Sequence, residues 1–519
     1  MLCKSVSASD GKVLPTPDDK ATPGKKGKGT FTIGKKTTYV TSPVDADGHI
    51  DYPAALNERL SKGITAENNA AVLLWKVIGP HPEKVTMPAK FYELLGVQIS
   101  EDGDYFVPLR QYLETQVKAK PATIAASLDK LTRLAQRTWT AKEHPEIHDW
   151  LKSNDKPLAL LAEATQRTQY YSPMVPQKKE KGSLGLLSTL LPSAQLSRQL
   201  ASALVGRAML RMGEDDIDAA WQDILACHRL GRLVGRGGSL IESLVGMSIE
   251  KIACQADLVF LDKINPDAKR IEACVRDLKG LPPPAEPADK VELCDRFTML
   301  EHIMLIDKQG MWHLNPDGDD KTPNVFGELV LNGIDWDSAL ESINQRHDRM
   351  AAAMREKDRG ERARKMDQIV VDIRTLKPKA ADPGRLAEML RDGMEPKKAK
   401  GQVIGDILIT LMFPAAHLVQ DGFDKTTQTF DNVIVAFALA RYQRDNGKFP
   451  EKLGALAPKY LPQAPRDLFS GKAPIYRATG DGYLLYSVGV NGIDDGGRGT
   501  DDQPPGDDLV VRMPLPTPR

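Results

Sequence analysis

The chain has 519 residues, enough for two to four domains with substantial cores, and its 70 Lys and Arg balance its 70 Asp and Glu. A net charge of zero gives no electrostatic case for nucleic acid or an acidic partner, and 6% aromatic content is low for a β-sandwich or a stacking-based binder. Abundant Leu, Ala, Lys, Arg and Glu favour a helical body. The expected fold is mainly α with a C-terminal α+β domain, divided into a flexible basic tail (1–37), a helical body (38–280), a linker with a long charged helix (281–400) and the α+β domain (401–519).

The first residues, "MLCKSVSASDGKVLPTPDDK", lack an apolar core, so no secretory signal is expected. Residues 24–30, "GKKGKGT", look faintly like a phosphate loop, but Thr30 stands where its Lys belongs, so a basic tail is the better reading. "DADG" at 45–48 resembles the middle of an EF-hand loop. Pro43 and Ala54 occupy its first and last ligand positions, which leaves an Asp-Gly turn.

From about 53 to 280 the pattern is helical. Leu196, Leu200, Leu204 and Ala208 line one face and Gly213 stops that helix; Ile217, Ala220, Trp221, Ile224 and Leu225 line the next. In "EHPEIH", His144 and His148 stand four apart as in a zinc protease. Pro145 holds the place of the catalytic Glu, so the expectation is a helix beginning at Pro145. "GRGGS" at 235–239 reads as a tight turn with Ser239 as N-cap. Glu242, Glu250 and His228 sit on otherwise apolar helices, and if they converge in a cleft they could perform acid–base chemistry.

Cys3, Cys227, Cys254, Cys274 and Cys294 form no CxxC and have no His at zinc-finger spacing, so neither a zinc finger nor a disulfide framework is expected. Residues 337–376 read as one long helix whose middle, 355–365, is a solvated charged surface. The best apolar run, 403–419, carries Asp406 and Pro414 and is short for a membrane span.

The last hundred residues carry the clearest pattern. A helix with Val433, Ala436, Leu439 and Tyr442 on its apolar side ends at Gly447. "APIYRA" and "GYLLYSVG" then read as strands joined across "TGDG". Tyr442, Asp445, Asn446, Gly447, Phe449-Pro450, Tyr460-Leu461-Pro462, Pro465, Asp467, Gly471, Tyr476 and "GDGYLLYSVGVNG" follow one another in the order and spacing of the type II secretion major (G-type) pseudopilin globular domain. This part of the chain resembles that family. The whole chain resembles uncharacterised bacterial proteins with a helical N-terminal region and such a tail.

The resemblance implies a calcium site in the loop after the strands. Carried over by position, Asn491 replaces an Asp of the family, Asp507 and Asp508 match its closing acidic pair, and Ser487 and nearby carbonyls complete the shell. Asp494, Asp495, Asp501 and Asp502 are further candidates, and an unliganded acidic loop is the alternative. Calcium takes six to eight oxygens at an irregular loop, which suits the composition. A pseudopilin begins with a short leader and an apolar helix. Here the apolar run is internal, so filament assembly is not expected.

The expected function is that of a non-enzymatic structural or interaction protein with a calcium-stabilised pseudopilin-like domain. Protein partners are expected, without nucleic acid or a transmembrane helix. The resemblance favours an extracytoplasmic or envelope-associated place beside secretion machinery. The alternatives are a helical binding module for a protein partner, and a hydrolase using His228, Glu242 or Glu250 in a helical cleft.

Overall fold

The structure, a computed structural model, describes residues 31–179, 182–183, 185–309, 333–380, 383–412 and 416–516. Cys3, the phosphate-loop-like stretch 24–30 and Pro414 lie outside the described residues. The chain is mainly α with a small C-terminal antiparallel sheet.

Local signals act where the sequence places them. Ser239 accepts from the Glu242 N–H at 3.2 Å while the Glu242 carboxylate accepts from the Ser239 N–H at 3.0 Å, a reciprocal capping box that starts a helix. Pro145 opens the Pro145–Ser153 helix, with His144 before it and His148 within it. Asp45 closes the 45–48 turn by accepting from the N–H groups of Asp47 and His49, each at 2.9 Å.

The centre is a stack of helices: α1 (Pro192–Gly213), α2 (Ile217–Val234), α3 (Leu240–Ile264) and α4 (Ala268–Lys279), with the 31-residue α5 (Ala416–Asn446) lying against α3 and α4. Two glycines fix the α2–α3 crossing. A Cβ on Gly231 would lie 3.0 Å from the Gly246 carbonyl oxygen, and one on Gly246 would lie 2.6 Å from that of Gly231. The backbones therefore touch, and side chains one turn away on each helix are forced together.

The sheet has the order β1 (Ile475–Thr479), β2 (Gly482–Ser487), β3 (Leu509–Met513), all antiparallel. The β1–β2 hairpin turns at Gly480-Asp481, with Thr479 opposite Gly482. Strand β3 is not legible as a strand in the sequence. Its pairing of Leu509 with Ser487 and Met513 with Tyr483 makes the acidic stretch a connection pinned at both ends. Asn432 of α5 ties it further by donating to the Leu509 carbonyl at 3.0 Å.

Two apolar cores cut across chain order. One joins Trp75, Trp139 and Trp150 to α1–α4, then to Phe437 of α5 and Tyr483, Leu485 and Val511 of the sheet. The other joins Phe31, Tyr52 and Leu56 to Phe297, Leu300, Leu340, Ile343, Ile404 and Leu408. Residues 401–519 thus share their cores with segments hundreds of positions earlier, and the C-terminal α+β part does not have a core to itself.

The helix expected over 337–376 is divided into Trp336–Met354 and Arg359–Ala380. Tertiary pairing explains the break. Arg355 donates to Asp289 at 2.8 Å and to Glu292, while Asp358 accepts from the Glu361 N–H at 2.8 Å and starts the second helix. One guanidinium nitrogen of Arg362 donates to both Asp424 carboxylate oxygens, at 2.8 and 2.9 Å, and Arg362 is buried, so the charged middle is in part a set of inter-helix ion pairs. Asp406, in the apolar run, is fully buried between Arg346, at 2.6 Å, and Arg385.

Candidate functional site

The β2–β3 connection gathers three of the expected ligands. Asp495, Asp507 and Asp508 each present a carboxylate oxygen, and these oxygens lie within 4.8 Å of one another. Gly489, at φ +70°, permits it: a Cβ there would stand 2.2 Å from the Asp507 carbonyl oxygen. The Asp507 carboxylate accepts from the Asn491 N–H at 3.1 Å through Oδ2, while its Oδ1 is buried and has no hydrogen-bond partner among the described residues. Asp508 is 3% exposed and accepts from the Gly497 N–H at 2.8 Å. Burial raises the Asp508 carboxyl above its usual range; the Gly497 and Asp495 N–H donors oppose this, and the neighbouring Asp495 and Asp494 charges add to it. Arg498 donates to the Asp495 backbone carbonyl at 2.7 Å and stands 3.6 Å from its carboxylate.

The remaining expected ligands have other roles. Ser487 is buried and donates to Asp467 at 2.5 Å. The Asn491 side chain accepts from the Ile493 N–H at 2.6 Å, closing a turn. Asp494 accepts from the Tyr486 hydroxyl at 2.9 Å, Asp502 from Arg512 at 2.7 Å, and Asp501 is exposed.

A second constellation forms at the α2–α3 crossing. His228 lies one turn before Gly231 and Glu250 one turn after Gly246, so the glycine contact brings them to 3.0 Å through Nδ1. The other ring nitrogen, Nε2, meets Asp257 at 2.8 Å, and His228 and Asp257 are fully buried. Arg232 donates to Glu250 at 2.9 and 3.2 Å, with its guanidinium 4.6 Å over the Phe430 ring. Burial alone would push the imidazole down, but the Glu250 and Asp257 charges outweigh it and lift His228 to about 10. Glu250 is lowered despite its burial, by His228 and Arg232.

A pocket of about 220 Å³ opens beside this group, lined by Arg232, Ser243, Met247 and Glu250 and, from α5, Thr427 and Phe430. Glu242 is not among the residues that line it: its Oε2 accepts from the Ser239 N–H and hydroxyl, and its Oε1 is buried with no hydrogen-bond partner among the described residues. Cys227, Cys254, Cys274 and Cys294 are free and buried. Sequence spacing did not reveal Asp257 or Arg232 as members of the cluster. Their positions, seven residues after Glu250 and four after His228, put each on the same helical face as its neighbour.

Comparison with known proteins found no matching family model, no similar curated protein and no similar solved structure. Among the described residues, no helix is long and apolar enough to cross a membrane.

Proposed function

We propose that the chain is a non-enzymatic structural or interaction protein whose β2–β3 loop is closed by a calcium ion at Asp507 and Asp508, the pair that its resemblance to the G-type pseudopilin implies, together with Asp495. It works through protein partners in an extracytoplasmic or envelope setting, where calcium is plentiful, beside secretion machinery. The observation that carries this reading is the convergence of three carboxylates from the two ends of one loop, one with an unpartnered buried oxygen. Calcium supplies the charge that such a cluster lacks, and hard oxygen donors suit it. Balanced net charge is the ground for leaving out nucleic acid.

Calorimetric titration of calcium into the full chain tests the reading. Saturable uptake that weakens at least tenfold in Asp507→Asn supports it. Absence of uptake at millimolar calcium removes the ion from the account.

The meeting of His228 and Glu250 beside a pocket favours a second reading, a hydrolase acting in a helical cleft, over a protein-binding groove. Turnover of ester or phosphoester substrates, lost in Glu250→Gln but not in Asp507→Asn, would bring that reading forward.

A further inference from the structure

The geometry points to a separate metal site: His228, Glu250 and Cys254 bind a zinc-class divalent ion at the α2–α3 crossing, beside the pocket that Glu250 lines. One donor atom from each residue lies within 4.8 Å of the others, and all three residues are buried. Glu250 and Cys254 stand four apart on α3 and face the same way, while His228 is delivered from α2 by the Gly231–Gly246 contact. Imidazole, carboxylate and thiolate form a mixed donor set that suits zinc better than a hard cation. The ligands come from two helices, so no local cysteine spacing announces them.

The surroundings match what such a site requires. Asp257 sits on Nε2 of His228 at 2.8 Å, which leaves Nδ1, 3.0 Å from Glu250, as the metal-facing nitrogen; an orienting carboxylate of this kind commonly stands behind a metal-bound histidine. Ser243 is 2% exposed and Glu250 5%, both line the pocket, and Ser243 Oγ and Glu250 Oε2 have no hydrogen-bond partner among the described residues. Three protein ligands leave a fourth position for water or a small ligand, and Glu250 gives the site its contact with the pocket.

The test is a titration of the full, chelator-stripped chain with Co2+ as a spectroscopic stand-in, followed by Zn2+. The expected result is a saturable thiolate-to-cobalt charge-transfer band, displaced by zinc, absent in Cys254→Ser and retained in Cys274→Ser. No band, or a band that survives in Cys254→Ser, overturns the site. X-ray absorption on the zinc-loaded unmutated chain gives a check independent of any variant's folding: a shell with one sulfur among nitrogen and oxygen is expected, and a shell without sulfur refutes the assignment. Failure here leaves calcium at the β2–β3 loop untouched, because that loop offers no sulfur.

Discussion

Asp257 accepts a hydrogen bond from Nε2 of His228 at 2.8 Å, and neither side chain is exposed to solvent. A charged imidazole in such a place is stable only while its carboxylates remain beside it. Asp257→Asn removes one of them and is expected to cost about 3–5 kcal/mol, the range for breaking a buried ion pair, measured by urea denaturation near neutral pH. The pH dependence has a definite sign. His228 is raised from 6.5 to about 10 by folding, so its contribution is fully present below 6.5 and is lost as pH rises through 10. The unmutated chain should lose stability across that window, and Asp257→Asn should lose less. Parallel profiles for the two proteins would contradict the assignment.

Glu301 gives a second titration, in another window. It is 8% exposed in the second core and accepts from the Leu186 N–H at 2.6 Å. Burial lifts its carboxyl from 4.5 to about 8, against the pull of that N–H and with a small contribution from Asp51. The folded state therefore holds a proton that the unfolded state has given up, and the stability this provides, present below 4.5, is lost as pH rises through 8. Glu301→Gln keeps an acceptor for Leu186 and has no proton to lose. Relative to the unmutated chain it should be similar at pH near 4.5 and more stable near pH 8, by a few kcal/mol. Urea midpoints at both pH values check this; a constant difference would contradict it.

Gly489 tests the geometry of the acidic loop without touching an acid. At φ +70°, and with the Asp507 carbonyl oxygen 2.2 Å from the place a Cβ would take, Gly489→Ala must shift backbone and not merely a side-chain end. The expected cost is about 1–3 kcal/mol, together with loss of calcium uptake, since Asp507 is displaced from Asp495 and Asp508. A variant that keeps both stability and uptake would show that the loop's closure does not depend on this approach.

The capping box predicts a smaller effect. Ser239→Ala removes the hydroxyl that accepts from the Glu242 N–H, at a cost of about 1 kcal/mol in a urea titration. It should leave calcium uptake unchanged, because the cap joins only Ser239 and Glu242 and takes in no acid of the loop. A loss of uptake would link two parts of the chain that the account keeps separate.

What the sequence disclosed and what it withheld divide along the range of the interactions. Ser239, Pro145, Gly213 and Gly447 act on neighbours within a turn or two, and the elements begin and end at them as expected. The β1–β2 hairpin is set by its own two-residue turn. The break at 355–358 is set by Asp289 and Glu292, more than sixty positions away. Strand β3 exists because β2 offers an edge, and five residues after "PPGDD" hold no periodic signal of their own. Ser487 looks like a ligand only until Asp467, twenty residues earlier, accepts its hydroxyl. Asp507 and Asp508 were marked by the pseudopilin resemblance, and Asp495 was one acid among several until the strands fixed the loop's two ends.

Thermal unfolding of the full chain in millimolar calcium and in chelator is the most direct test of the central claim, and it must use the whole chain because the sheet shares its core with α1–α5. An ion that binds the folded loop and not the unfolded chain raises the midpoint by mass action. The account predicts a higher midpoint with calcium and no calcium-dependent difference in Asp507→Asn. Equal midpoints for the unmutated chain in calcium and in chelator would contradict it, and would leave Asp495, Asp507 and Asp508 as an acidic turn held by backbone N–H groups and Arg498.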